Sequence, residues 1–241
     1  MTDFVIIVVS ILVSILGVAV FAFFLILGTR RDKKRQKDVQ NLAEEMGLAF
    51  QPTAEENFQE RVALFKLFKK GHSQKILNIV VGEVPDLEIV IFDYHYSVGR
   101  GKQQQNHRHT VALIESRELA IPAFTLRPES VFDKLGAIIG MQDIDFDSHP
   151  LFSKMFLLKG NDEAQIRDFF DDSILNLMQG KPKVCVEATH GRMIVYYGRN
   201  PPKADQLKSL FAEALEVHSV FAERAQILPS RPHQEFDNEN N

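Results

Sequence analysis

The chain has 241 residues, of which 45% are hydrophobic and 25% charged, as in an ordinary globular protein. That length favours one folded domain beside any membrane segment. Residues 1–37 hold six Lys/Arg and two Asp, so the remainder has 22 basic and 30 acidic residues, a net charge of −8. An acidic remainder argues against nucleic acid as a partner, because binding to phosphates depends on Lys and Arg.

The first 29 residues predict a transmembrane anchor. Residues 4–28 contain no charged side chain. At about 1.5 Å per residue, a helix of that length spans roughly 37 Å, enough to cross a bilayer core of about 30 Å. A cleaved signal peptide would have a basic start and a shorter apolar stretch, whereas this chain begins Met1-Thr2-Asp3.

A cluster of cations follows the apolar segment and predicts its orientation. By the positive-inside rule, the anchor crosses once, with the N terminus outside and the following domain in the cytoplasm, at the plasma membrane. These cations are also expected to contact anionic headgroups: Arg30, Arg31, Lys33, Lys34, Arg35 and Lys37. Apolar residues at helical spacing from Val39 to Met46 predict that residues 30–46 form a basic juxtamembrane amphipathic helix.

Small residues within the anchor suggest contact between two copies of the chain. Ser10, Ser14 and Gly17 recur at spacings of four and three residues, and such stripes let helices approach closely in lipid. The stripe predicts self-association through these three residues. The alternative is that they have no role, since small residues are common in membrane helices.

Beyond residue 46, the sequence predicts an α+β domain with an antiparallel sheet and flanking helices. Branched and aromatic residues predict strands over residues 48–51, 75–84, 87–98, 107–115, 123–126, 142–147, 155–159, 183–189 and 192–197. Capping and turn signals predict helices over residues 53–70, 130–139, 161–180 with a break near 172, and 201–225. The connections between neighbouring strands are too short for parallel crossovers, so the sheet is expected to be antiparallel.

Two organisations of this region remain open. Residues 47–228 form one domain, or they divide into two sub-halves at about 47–127 and 128–228, because each half offers a helix followed by a hairpin. Residues 229–241 are polar and predict a disordered tail.

Four side chains in the β-rich middle predict a metal site. Asp93 and His95 share one strand face, as do His107 and His109 on the next strand. If His95 pairs with His107, all four converge, and imidazole and carboxylate groups are good ligands for zinc or another divalent ion. A slip of one residue would separate the two pairs, and a solvated hairpin without metal is the alternative. No other cofactor is expected.

The loop between these strands is predicted to be a hairpin tip. Residues 99–102 are Gly-Arg-Gly-Lys, but the spacing, the Ser/Thr and the following helix of a phosphate-binding loop are missing. Arg100, Lys102 and Arg108 remain candidates for contact with an anionic headgroup or partner. Cys185 lies in an apolar alternating strand, which predicts a buried thiol rather than a nucleophile.

Residues 91–102 (IFDYHYSVGRGK), 121–129 (IPAFTLRPE) and 142–146 (QDIDF) cover separate parts of the domain. Together they resemble segments of a family of bacterial single-pass membrane-anchored proteins of unknown function. The resemblance implies a bacterial inner membrane as the setting, and it implies no activity and no functional residues.

The absence of a catalytic motif favours a non-enzymatic function. The sequence predicts a protein-interaction or scaffolding module on the cytoplasmic side of the membrane, and it leaves an enzymatic activity open. The alternative is a domain that binds a small ligand or a divalent metal through the four side chains or the basic loop.

Overall fold

Eight antiparallel strands form one sheet in the computed structural model, which describes residues 30–228 except 56, 85, 117–118, 130–142, 190 and 199–206. The strands are β1 (Ala49–Thr53), β2 (His72–Val84), β3 (Leu87–Val98), β4 (Gln105–Ser116), β5 (Phe124–Pro128), β6 (Phe156–Gly160), β7 (Val184–Thr189) and β8 (Arg192–Tyr197). Their order across the sheet is β1-β2-β3-β4-β8-β7-β5-β6. The predicted α+β class and antiparallel sheet are confirmed.

Six helices accompany the sheet in the described part of the chain. They are α1 (residues 30–46), α2 (Phe58–Val62), α3 (Pro150–Met155), α4 (Glu163–Phe169), α5 (Asp172–Gln179) and α6 (Leu207–Ile227), with short 3₁₀ turns at Lys66–Lys69 and Gly101–Gln103. None of these helices is long and apolar enough to cross a membrane. The predicted anchor over 1–29 with its Ser10, Ser14 and Gly17 stripe, the helix over 130–139 and the tail over 229–241 lie outside the described residues.

The predicted strand boundaries are confirmed for one long strand and one short strand. β3 and β8 begin and end at the predicted residues, whereas β2 and β4 are longer than predicted. The prediction of one sheet strand over 142–147 is wrong, because residues 143–146 have no regular structure. They still close the edge of β6: Ile144 N–H donates to the Leu158 carbonyl at 2.9 Å, and the Asp143 carboxylate accepts from Leu158 N–H at 2.8 Å.

The predicted helix over residues 53–70 is wrong, since the segment breaks into α2 and a 3₁₀ turn with Phe65 extended between them. The cause lies in β7 of the sheet that this segment covers. Glu187 of β7 is buried, and its carboxylate accepts backbone N–H groups of Lys66 at 2.6 Å and Leu67 at 3.2 Å. Two charge-assisted hydrogen bonds to the start of the turn offset the loss of a continuous helix.

The sheet is buried on both faces, since every residue of β3 from Ile89 to Tyr94 is buried. On the helical face, Ile89 and Ile91 join a core that includes residues of α1, α3, α4, α5 and α6. On the opposite, aromatic face, Val90 and Phe92 pack beneath α2 and the first 3₁₀ turn. One continuous sheet and one helical-face core therefore contain residues from both of the sub-halves considered above.

Two buried tyrosines on the aromatic face differ in how their hydroxyl groups are satisfied. Tyr196 donates to the Glu187 carboxylate at 3.1 Å. The Tyr94 hydroxyl has no hydrogen-bond partner in the described part of the chain. Burial raises the pKa of both phenols, and the neighbouring Tyr96 phenol adds to the effect at Tyr94, so both stay protonated at neutral pH.

We expect Tyr94→Phe to leave the free energy of unfolding unchanged or to raise it, since it removes a buried hydroxyl without a described partner. The matched variant Tyr196→Phe removes a donor from buried Glu187 and is expected to lower it by about 1–3 kcal/mol. Urea denaturation of the purified chain measures both. An equal loss in the two variants would contradict the difference between the hydroxyl groups.

Candidate functional site: the docking of α1 on the sheet

α1 is packed into the core rather than standing apart from the domain. Val39 and Ala43 are only 2% and 1% exposed, and they share the helical-face core with Val80 and Ile91. The helix predicted over residues 30–46 is present, but a domain boundary at residue 47 would cut through this packed interface. α1 and the sheet therefore form one unit.

An ion pair between half-buried Arg35 and buried Asp93 fixes the N-terminal half of α1 on β3. Arg35 donates from Nε to one carboxylate oxygen of Asp93 and from Nη2 to the other, both at 3.0 Å. The side chains are 20% and 5% exposed. Bidentate Arg–carboxylate contacts have a narrow geometry, so this pair specifies one position of α1 along the strand as well as one rotation about its axis.

Two further side chains complete what we call the α1 docking site, defined as Arg35, Asn78, Asp93 and Thr110. Asn78 Nδ2 donates to Asp93 at 2.8 Å, and the Thr110 hydroxyl donates to it at 2.7 Å. Thr110 lies directly across from Asp93 on β4. Asn78 reaches the site from an irregularity in β2, where the pairing shifts between Leu77 and Val80 and Asn78 has a φ of 53°.

These contacts decide the charge state of Asp93. Burial alone would raise the pKa of its carboxyl group, but the hydrogen bonds and charge of Arg35, with the hydrogen bonds of Asn78 and Thr110, outweigh burial and hold the pKa below the ordinary 3.8. Asp93 is therefore ionised at neutral pH. A buried carboxylate left without Arg35 would be costly, because several kcal/mol of desolvation would have no compensation.

A second ionic contact lies one helical turn before the docking site. The Arg108 side chain donates to Asp32 at 2.9 Å. Arg108 stands opposite His95, which in turn stands opposite Lys75, so the three form a row across β4, β3 and β2. Burial, and then the charge of Arg108, lowers the pKa of His95, so the imidazole is neutral at neutral pH.

The predicted convergence of Asp93, His95, His107 and His109 is wrong. His107 pairs with Tyr96 and His109 with Tyr94, one residue away from the expected register. Because side chains alternate along a strand, the slip places the two histidines on the aromatic face and Asp93 with His95 on the helical face. His107 and His109 stack on Tyr96 instead, with ring centroids 4.9 and 5.8 Å apart.

Other candidate ligands also fail to assemble. Within the described ranges, no three His, Cys, Asp or Glu side chains come close enough to hold one metal ion. Cys185 is fully buried, and burial raises its thiol pKa to about 12. That thiol is unsuited to nucleophilic chemistry, which requires an accessible thiolate.

The six cations predicted to contact headgroups divide into two groups. Five are exposed: Arg30, Arg31, Lys33, Lys34 and Lys37. Arg35 instead faces the sheet, because its charge pairs with Asp93 inside the docking site. The sequence offered two signals for this pairing: Arg35 is four residues before buried Val39, and Asp93 is the sole acidic residue between positions 89 and 114.

No family model matches the sequence, and no curated protein sequence matches it significantly. The fold is similar to the crystal structure of the mycobacterial trehalose monomycolate transport factor A, TtfA, with a TM-score of 0.56. The similarity covers 85% of this chain and 99% of that chain, at 13% sequence identity. At this identity the likeness shows a shared fold and carries no residue of the docking site across.

The neighbouring variants Arg35→Met and Lys34→Met separate a buried from an exposed ion pair on α1. Arg35→Met leaves Asp93 buried and unpaired, so we expect the free energy of unfolding to fall by about 3 kcal/mol and the amides of α1 to exchange faster. Lys34 pairs with Asp38 at the surface, and Lys34→Met is expected to cost less than about 0.5 kcal/mol. Urea denaturation and hydrogen exchange measure the two effects, and equal losses would show that the Arg35 contact is not special.

The cost of Arg35→Met should shrink in acid. With Arg35 present, the ion pair stabilises the fold above the ordinary Asp pKa of 3.8 and is lost as the pH falls through the lowered pKa of Asp93. Without Arg35, burial dominates and Asp93 takes up its proton at a higher pH than in the unchanged chain. As the pH falls, the variant therefore loses its unpaired buried charge before the unchanged chain loses its ion pair. Denaturation at pH 7 and pH 3 checks this expectation. A difference in unfolding free energy that stays constant would mean that Arg35 acts by packing alone.

Proposed function

We propose that this chain is a non-enzymatic protein-interaction module tethered to the cytoplasmic face of a bacterial inner membrane by residues 1–29. The observation that carries the proposal is the docking of α1, which joins the segment next to the apolar run to the sheet through Arg35 and Asp93. A flexible linker would let the domain tumble. A docked helix gives the domain one direction relative to its tether.

The short distance in sequence between tether and domain supports the proposal. The uncharged run ends at Gly28, and Asp32 already contacts Arg108 of β4. Even a fully extended chain gains at most about 3.5 Å per residue, so these four steps span no more than about 14 Å. The sheet consequently lies against the bilayer surface in this proposal, within reach of the cytoplasmic side of an integral membrane protein.

The partner class follows from this position. A module that cannot leave the bilayer surface suits a partner in the same membrane, and we propose an integral membrane protein. The protein of similar fold is a transport factor, which makes a membrane transport protein the first partner class to test. The sequence similarity is too low to transfer its cargo.

The first test concerns the tether. We expect the full chain to remain with membranes through high-salt and alkaline carbonate washes, because a long apolar helix holds it there. Leu12→Lys/Leu16→Lys places two charges in the apolar run and should release the chain. Release of the unchanged chain by salt alone would overturn the tether.

The second test concerns the interaction. Leu64 and Leu151 are 57% and 56% exposed. A photo-crosslinking side chain at position 64 probes the aromatic side of the sheet, and one at position 151 probes the helical side. In intact membranes we expect at least one position to give a discrete adduct with an integral membrane protein. The adduct should persist in Lys34→Met and weaken in Arg35→Met. An adduct that Arg35→Met leaves unchanged would contradict the role of docking.

A further inference from the structure

The β3–β4 hairpin points toward the same end of the molecule as the start of α1. Asp32 contacts Arg108, and Arg35 contacts Thr110, so α1 runs along β4 from its beginning toward its middle. Residues later in α1 reach further along the sheet, where Ala43 packs in the core with Ile91. The tip of the hairpin, residues 99–104, thus lies on the side from which α1 starts.

The tip extends beyond the first described turn of α1. From Arg108 to Gln105, β4 advances by about 10 Å, since a strand rises roughly 3.3 Å per residue. From Asp32 back to Arg30, α1 advances by only about 3 Å. Residues 99–104 are all exposed. If α1 leads from a bilayer, the tip is therefore at least as close to that bilayer as the start of α1.

Charge is distributed unequally along these strands. Residues 94–114 contain no Asp or Glu, and the exposed tip carries Arg100 and Lys102. The opposite end of the same strands carries Glu83, Glu88 and Glu115, which lie opposite one another from β2 to β4. Glu88 and Glu115 form ion pairs there with Arg61, and Glu115 also pairs with Arg192. An anionic surface would attract the tip end, whereas the positive charges at the other end are already paired with carboxylates, so the charges favour one orientation.

The tip has a defined shape, supported from the neighbouring strand. Gly99 has a φ of +80°, and its carbonyl group accepts a hydrogen bond at 2.8 Å from Nε2 of His72. A 3₁₀ turn then follows at Gly101–Gln103. Arg100 directly precedes this turn and Lys102 lies within it, and both residues are exposed at the apex of the hairpin.

We propose that the β3–β4 hairpin tip is a second membrane-contact site, in which Arg100 and Lys102 bind the headgroups of anionic phospholipids beside the exposed cations of α1. The inference rests on the proposed tether, which brings the tip to the bilayer. Contact at two points, one at α1 and one at the tip, prevents rotation of the sheet about the tether. The competing partner for the tip is a charged protein surface. The test therefore contains lipid and no other protein, so that contact of the tip in it is contact with lipid.

The test uses the full chain reconstituted in vesicles of phosphatidylcholine alone or with 30% phosphatidylglycerol. An environment-sensitive fluorophore is attached at Gln103→Cys on the tip or, as a matched control, at Glu83→Cys on the opposite end of β2. Native Cys185 stays in place, because it is fully buried and does not compete for the label. Quenching by a spin label on the lipid headgroups reports contact with the bilayer surface.

We expect quenching at position 103 to be at least about twofold stronger in vesicles with phosphatidylglycerol, and to fall in high salt because surface charges are then screened. Arg100→Gln/Lys102→Gln should abolish this increase. The control Lys154→Gln/Lys208→Gln removes two exposed cations away from the tip and should preserve it. Position 83 should show little quenching in either lipid. Equal quenching at positions 83 and 103, or no dependence on the anionic lipid, would overturn the proposal.

The same vesicles separate this proposal from the proposed function. Flotation with phosphatidylcholine vesicles after a salt wash depends on the apolar run and not on the tip. A chain that floats but shows no anion-dependent quenching at position 103 would leave the tether intact and overturn the tip contact alone. A chain that does not float would overturn both.

Discussion

Asp93 places a negative charge in the middle of a strand whose neighbours are buried, and Arg35 of α1 neutralises it. Such a pair adds little stability compared with apolar residues of the same size, since both charges have lost their water. Its effect on geometry is larger. If α1 rotated to another face, buried Asp93 would lose its cationic partner and keep only the hydrogen bonds from Asn78 and Thr110. The pair therefore selects one arrangement of α1 among the many that its apolar stripe alone would permit.

Glu187 has the equivalent role on the opposite face of the sheet. It accepts the backbone N–H of Leu67, which is 120 residues away in sequence, and the Tyr196 hydroxyl beneath it. On the helical face, Arg35 and Asp93 are 58 residues apart. In the described part of the chain, each face thus has a buried carboxylate that receives hydrogen bonds from the segment covering it. Apolar packing supplies the area on both faces, and the two carboxylates specify where each covering segment lies.

The sequence is sufficient to predict the features that depend on a local pattern of residues. It is insufficient to predict the features that depend on how distant segments of the chain pair. The branched and aromatic residues between positions 87 and 98 are enough to predict β3 at its observed bounds. The register between β3 and β4 cannot be predicted in the same way, because it depends on the length of the tip that joins them. The ladder runs to the end of each strand at Val98 and Gln105, which leaves a tip of six residues. A register that differs by one residue places His107 and His109 on the opposite face of the sheet. The break in the helix after Val62 depends on Glu187, which no local signal connects to that segment.

The same dependence on distant contacts explains why the sequence does not distinguish Arg35 from the neighbouring cations of α1. In the sequence it is one of six cations after the apolar run, and all six fit a solvated helix beside a membrane. An amphipathic helix, however, has one apolar stripe, and here Val39 and Ala43 direct it into the core of the domain. A helix whose apolar stripe is buried in protein cannot also insert that stripe into lipid. Any contact that α1 makes with a bilayer must therefore be through its exposed cations, so electrostatic attraction to anionic lipids, rather than burial of apolar surface, would determine the orientation of the domain.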